Sequence, residues 1–271
     1  MSMQSQSRMA GISNSLVTNS KLVFLESIGL VIALWWATAN VLGLQETISS
    51  PELVAMFIIG LFESGIWWEH LFDTFRRVIY GFSLTMLLGT VIGVMMGMSK
   101  FWEKVLQDYV TVGLALPSLF AAVFAAMWFG VSDITPMVAA AAISFPFVAQ
   151  EVYEAVKDID NDLLQMSSSF NISQKRSIRR VIVQSVLPQW FGGARYGFAS
   201  SWKIVTLAEL VAAQTGIGFM IQFEMKRLSI TGVLGWTILF TIVMLVLEYG
   251  LLRQIEQRMF DWRDSETIGW G

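Results

Sequence analysis

The sequence predicts an all-α, polytopic membrane protein with about six transmembrane helices, and three observations carry that expectation. Of 271 residues, 55% are hydrophobic and only 14% charged, whereas soluble domains carry about 25% charged residues. The mean hydropathy is +0.59. Apolar runs of the roughly 20 residues needed to cross a bilayer recur along the chain, separated by polar segments. The absence of cysteine excludes disulfide scaffolds and thiolate metal sites, and one histidine, His70, cannot build a zinc site. The net charge of −3 decides little, because in a membrane protein the placement of Lys and Arg matters more than their total.

Residues 1–20 are polar, lack the apolar core of a secretory signal and are expected to form a disordered cytoplasmic tail. A first span is expected over 22–44. Residues 45–73 hold Glu46, Glu52, Glu63, Glu69 and Asp73 but no Lys or Arg. Within them, 53–68 is expected to be an interfacial or short packed helix with Trp67 and Trp68 at headgroup level. A second span over 78–98 carries Gly89, Gly93 and Gly97 at four-residue spacing, a small-residue stripe that lets another helix approach closely. The third span is expected over 106–129 with Pro117 inside it, then a turn at Asp133 and Pro136. The fourth, over 137–153, is Ala-rich and interrupted by Pro146; both prolines are expected to kink their helices. A fifth span over 191–213 leads into a loop at Gly216-Ile217-Gly218. The sixth covers 230–252 and ends in a charged stretch to Arg263, before a C-terminal tail over 264–271.

Orientation follows from the positive-inside rule. Placing both termini, the connection between the second and third spans, and the polar segment 158–188 in the cytoplasm collects 13 of the 18 Lys and Arg there. The other side keeps Arg76, Arg77, Lys226 and Arg227, and Lys203 falls inside a span.

The segment 158–188 is polar, charged and patterned. Leu163, Leu164, Met166 and Ser167 are spaced for a short amphipathic helix. Asn171 stands where such a helix would close, since Asn tolerates the left-handed conformation. A second helical run from Ser173 carries Lys175, Arg176, Arg179 and Arg180. A helix–turn–helix beside a membrane is either a docking element or an ordinary cytoplasmic loop that obeys the charge rule.

Intramembrane charges are costly and usually functional. Lys203, near the middle of the fifth span, is either a cation in a translocation pathway or a structural residue that pairs with Glu248 or snorkels. Glu209 lies six residues on, about 240° round an ideal helix, so the two do not share a face. Glu209 and Glu248 are either pathway acids or structural hydrogen-bond partners. Arg76 and Arg77 are interfacial anchors, or else a gate or protein contact. The chain has no G-x-x-x-x-G-K-[ST], so no P-loop cradles nucleotide phosphates, and nothing indicates nucleic-acid binding.

Several pieces together resemble a known family. Thr74-Phe75-Arg76-Arg77 is similar to a T-L-x-R opening of the second span, and Met127-Trp128-Phe129-Gly130 to a W-F-G after the third. Ser201-Trp202, Ala208-Glu209-Leu210 and Gly216-Ile217-Gly218-Phe219-Met220-Ile221 resemble an A-W…A-E…G-x-G-x-x-I stretch, and Asp261-Trp262-Arg263 an R-W-R tail. With Leu187-Pro188 on the second L-P of the cytoplasmic loop motif, E-A-A falls on Gln165-Met166-Ser167 and its glycine on Asn171, a degenerate match. These pieces, from Glu69 to Arg263, resemble the permease subunit of a binding-protein-dependent ABC importer of the taurine, alkanesulfonate, nitrate or bicarbonate branch.

The resemblance implies the type I ABC importer permease fold, with residues 21–263 as the permease domain and both termini cytoplasmic in the cell inner membrane. It implies a homodimer of permeases, cytoplasmic ABC ATPase subunits that hold the ATP and Mg, and an extracytoplasmic solute-binding protein. ATPase coupling would then fall to Asp162, Leu163, Leu164, Gln165, Met166, Ser167, Asn171 and Arg176. The pathway for a small anion would be lined by Lys203, Thr206, Glu209 and Trp128, with no cofactor in this chain. The alternative is an ion-coupled secondary transporter using Lys203 and Glu248, for which the sequence offers no convincing internal repeat.

Overall fold

The computed structural model describes residues 20–160, 162, 165, 166, 169, 170, 173–248, 250 and 254, and everything regular among them is helical. Helix α1 spans Ser20–Asn40 and α2 spans Pro51–Ser64. Helix α3 is Ile66–Met98, α4 is Lys100–Ala115 and α5 is Ser118–Phe129. Helix α6 is Ile134–Lys157, α7 is Val183–Ala212, α8 is Ile217–Lys226 and α9 is Ile230–Leu247.

By length and apolarity α3, α6 and α9 can each cross a membrane. The bent pairs α4 with α5 and α7 with α8 bring the total to five. These five correspond to the second to sixth expected spans, and the first forms the 21-residue α1. Most of the described side chains of α1 are exposed, and among them Ala39 alone is buried. It is anchored at its end, where Trp35 Nε1 donates to Ser49 O at 2.9 Å.

Boundaries shifted where charges or prolines decide. Pro51 opens α2, where its missing N–H costs nothing, and Gly65 at φ +71° closes it and starts α3. The segment expected over 53–68 is therefore divided, with Trp67 and Trp68 in the first turn of α3. Helix α3 begins at Ile66, 12 residues before the expected start of the second span at Val78. An apolar-run criterion stops at Glu69, Asp73, Arg76 and Arg77, whereas the backbone accepts Asp73, Arg76 and Arg77 because partners satisfy their charges, and Glu69 because it is exposed. At Pro117 the third expected span breaks outright. Leu116 is extended at ψ 123°, and α4 and α5 meet at 103°. Pro146, by contrast, sits inside an unbroken α6. The fifth span also starts early, at Val183, so Leu187 and Pro188 are helical rather than part of a loop. The turn at Gly216 gives way at once to α8, set at 44° to α7, where a loop was expected.

The tightest packing is α3 against α6, and the glycine stripe produces it. Gly81, Thr85, Gly89, Gly93 and Gly97 all lie at four-residue spacing, which extends the stripe by two positions beyond the sequence reading. A Cβ on Gly89 would sit 2.6 Å from Val148 Cβ, and one on Gly93 2.5 Å from the Ala149 carbonyl oxygen. One on Gly97 would sit 2.5 Å from Val156 Cβ. Helix α7 closes on this pair through a core that includes Val78, Ala139, Ala140, Phe198, Trp202 and Val205.

Gly93→Ala must push backbone rather than a side chain, so it is expected to destabilise the detergent-solubilised protein by about 1–3 kcal/mol. Gly60→Ala, with open space around it, is the control and should be neutral or better in the same thermal unfolding assay.

Candidate functional site

The charges of α3 and α7 meet at one end of the bundle. Arg77 is 2% exposed and Glu209 is fully buried, and their ion pair spans 2.7 Å from Arg77 Nη1 to Glu209 Oε1. Thr74 Oγ1 donates to Glu209 Oε2 at 2.9 Å, and the Gly218 N–H donates to the same oxygen at 3.0 Å. Arg77 also donates to the Thr215 carbonyl and hydroxyl at 2.7 and 2.8 Å, and to Asp133 Oδ1 through Nε at 3.1 Å and Nη2 at 2.5 Å. Arg76 reaches Asp133 Oδ2 at 2.6 Å. Isolated charges at this depth would be prohibitive, and these are acceptable because nearly every lone pair and N–H is matched.

The G-x-G turn is shaped around that carboxylate. Gly216 holds φ +108°, and a Cβ there would overlap the Glu209 carboxylate, while one at Gly218 would overlap the Thr206 carbonyl oxygen. The Gly216 N–H donates to His70 Nδ1 at 3.1 Å, which puts the ring proton on Nε2, and the Ile217 N–H donates to Thr74 Oγ1 at 2.8 Å. His70 also meets Trp236 edge to face, so it is a structural acceptor rather than an isolated interfacial residue. Asp133 lies in the turn before α6. The Arg77 hydrogen bond is the main cause that holds its carboxyl below the usual carboxylate range. A depressed carboxylate contributes its stability above the unfolded pKa and gives it up as pH falls through the folded value, so the Asp133 link is intact at neutral pH.

Helix α7 carries three charged residues, Arg195, Lys203 and Glu209. Glu209 is taken by Arg77. Arg195 donates to Glu248 Oε1 through Nε at 2.9 Å and Nη2 at 2.7 Å. Neither acid is left for Lys203, which is exposed and has no ion-pair partner among the described residues. The expected alternative of a Lys203 pair with Glu248 is therefore corrected: Arg195 holds Glu248. The stripe around Lys203, with Gly192 and Tyr196 exposed and Ala199, Ser200, Leu207 and Leu210 half-buried, is a more exposed face of α7, touched by α6 where Tyr196 stacks on Phe147 and the Ser144 hydroxyl donates to Ser200 Oγ.

The four residues expected to line a pathway divide in two. Lys203 is exposed, and Trp128 is 79% exposed at the end of α5, stacked on Phe124. Thr206 is buried with its hydroxyl unpartnered among the described residues, and Glu209 is enclosed in the ion network. The sequence reading missed the Arg77–Glu209 pair. The available signal was two opposite charges, each embedded in an apolar helical stretch, at span ends assigned to the same side.

Of the coupling residues, Leu163, Leu164, Ser167 and Asn171 lie outside the described residues. Asp162, Gln165 and Met166 are helical and exposed, Met166 at 51%, and the Asp162 N–H donates to Asp160 Oδ1 at 2.8 Å. Arg176 is exposed in the turn Gln174–Ser177, which passes through a π-helical segment, Ile178–Ile182, into α7.

Three kinds of comparison with known proteins agree. The family model for the binding-protein-dependent transport system inner membrane component matches residues 89–261. The taurine transport system permease protein TauC of Escherichia coli is 24% identical over 242 residues, covering 87% of this chain and 88% of its own. The putative aliphatic sulfonates transport permease protein SsuC of Bacillus subtilis is 24% identical over 236 residues, covering 87% and 85%. Among solved structures, the MetNI methionine ABC transporter matches with a TM-score of 0.61 at 15% identity, over 72% of this chain and 97% of that one. That likeness supports the all-α importer-permease fold.

Arg77→Met and Glu209→Met should each cost about 3–5 kcal/mol, because each strands a buried charge. The double variant should cost clearly less than the two together, and a thermal-unfolding double-mutant cycle measures the difference.

Proposed function

The chain belongs to the family of binding-protein-dependent transport system inner membrane components, the membrane-spanning subunits of ABC importers, and we propose that it carries a small sulfonate-type anion past Lys203. The observation that carries this reading is the exposed Lys203, a cation without an ion-pair partner among the described residues. A bare lysine turned toward lipid is expensive, whereas the same lysine in a water-filled path between two permease copies is not. Tyr196 and Ser200 add hydroxyls along the same stripe. A sulfonate stays ionised throughout the physiological range, so its passage requires a fixed counter-charge where water is scarce. The taurine and sulfonate permeases among the relatives favour the same substrate class.

In this reading two copies of the chain enclose the path, with both termini in the cytoplasm. An extracytoplasmic binding protein delivers the anion to the end of the bundle where Arg77, Asp133 and Glu209 meet. Cytoplasmic ATPase subunits, which hold the ATP and Mg, engage the segment around Asp162, Gln165 and Met166. An exposed Met166 on a short helix offers apolar surface to a groove on that partner, at roughly 1.5–3 kcal/mol if fully buried there. ATP-driven closure of the ATPases would then shift the population between inward- and outward-facing arrangements of the spans.

Two expected outcomes follow from these assignments. In proteoliposomes with the ATPase and binding protein, Lys203→Ala should lower taurine or alkanesulfonate uptake tenfold or more, and Lys203→Arg should retain most of it. Wild-type uptake by Lys203→Ala would remove the anion role. Met166→Arg, at an exposed position, should leave the stability within about 0.5 kcal/mol of wild type. It should nevertheless abolish co-purification of the ATPase; retention of the ATPase would relocate the docking surface.

A further inference from the structure

Two neighbouring concavities flank the start of α7, and of their lining residues Arg176 alone was also expected in ATPase coupling. The first, of about 570 Å³, is lined by Ser173, Arg176, Arg179, Arg180 and Gln184. These three arginines have no ion-pair partner among the described residues, and all three are exposed. The second, of about 270 Å³, is an almost wholly apolar groove between α3, the end of α6 and α7. Val94 and Met98 form one wall, Val156 another, and Ile182, Val186 and Trp190 the third. Trp190 Nε1 donates to Thr90 Oγ1 at 2.8 Å, so the indole is satisfied and its ring forms a dry wall.

The two share one stretch of helix. Arg180 and Gln184 line the basic concavity, while Ile182, Val183 and Val186, between and just beyond them in sequence, line the groove, so the concavities lie side by side on different faces of the same turns. The π-helical segment Ile178–Ile182 sets this relation. Its extra residue per turn rotates the arginines relative to the apolar residues that follow, a device often found at functional positions. Two of the groove walls, Val94 with Met98 and Val156, belong to helices long and apolar enough to cross a membrane, and the arginines precede the apolar residues of the third wall in the sequence.

We propose that this pair of concavities is a binding site for an anionic phospholipid, with the phosphate on Arg176, Arg179 and Arg180 and an acyl chain in the groove beside Trp190. Neither half selects that ligand alone. A soluble anion would leave the groove empty, and a neutral lipid would leave the guanidinium cluster unsatisfied. Basic pockets beside transmembrane helices gain roughly fivefold in lipid affinity per Arg near the surface, and guanidinium forks match phosphate oxygens geometrically. The lipid would brace the first turns of α7 against α3 and α6, directly next to the segment assigned to ATPase coupling.

The test is native mass spectrometry and thermal unfolding of the full-length chain, with its ATPase, in nanodiscs of phosphatidylglycerol or of phosphatidylcholine. The wild type should retain phosphatidylglycerol on detergent release and be more stable with it. The Arg176→Gln, Arg179→Gln, Arg180→Gln triple variant should lower that retention at least tenfold. Val186→Trp, which fills the groove and leaves the arginines in place, should lower it as well. Inorganic phosphate added to wild type in phosphatidylcholine should give none of the stabilisation. Equal retention of the two lipids by wild type, or equal stabilisation by inorganic phosphate, overturns the proposal. So does a triple variant that keeps its lipid but sheds the ATPase, since the arginines then belong to that interface. Loss of sulfonate uptake in Lys203→Ala with lipid retention unchanged bears only on the transport reading.

Discussion

One buried ion pair fixes one end of the bundle. Arg77 and Glu209 come from helices 132 residues apart in sequence, and their contact is 2.7 Å long in a region with almost no solvent. Such a pair is poor evidence for stability in itself, because desolvation of two charges offsets much of their attraction. What it does supply is specificity. Arg77 has partners at Asp133, Glu209 and Thr215, and only one placement of α3, α7 and the two turns satisfies them together. The glycines at 216 and 218 are consequences of that placement, since any side chain there would occupy the space of Glu209 or the Thr206 carbonyl.

The stripe on α3 works by the opposite means. It contains no charge, and its contribution is the smallness or absence of side chains, which brings α3 and α6 close together from Gly81 to Gly97. Van der Waals contact between close helices is the main attraction available where lipid is as apolar as the core. The protein thus has a rigid plate of α3, α6 and α7, pinned at one end by charge and along its length by close packing. Helix α4 attaches to this plate through α3 and α6 with few buried residues, and α1 packs on α2 instead. A transporter that alternates between two arrangements requires such a division, because stiff units transmit displacement and soft joints absorb it.

Much of this was legible in the sequence, and the omissions have physical reasons. The Gly89, Gly93 and Gly97 periodicity announced close packing, and the apolar runs announced the helices. Helix limits were misplaced at Glu69–Arg77, because hydropathy treats a charge as the end of a membrane helix, and at 183–190, where Gln184, Ser185, Pro188 and Gln189 interrupt the apolar run. A charge with a partner ends nothing. Pro117 and Pro146 looked alike, yet one breaks the chain by 103° and the other sits in a continuous helix. The difference lies in tertiary surroundings: Pro146 packs on Gly113, where a Cβ would come within 2.7 Å of its ring, and no local pattern encodes that. The partner of Glu209 was equally invisible, since a residue 132 positions away leaves no periodic trace.

The same partner assignments give Lys203 its meaning. A lysine in an apolar helix is ambiguous while acids are available to it, and the sequence offered two. Arg77 holds Glu209 and Arg195 holds Glu248, so neither acid is left to pair with it. What remains on α7 is one cation without an acid among the described residues, on the more exposed stripe of that helix. Membrane proteins remove or pair such charges unless solvent or a ligand meets them, because the alternative costs several kcal/mol per residue. In the proposed function that cation meets a polar path along this face, and its sign makes the path one for anions. On that reading Lys203 is the charge left over once Arg195 and Glu209 have found partners on other helices.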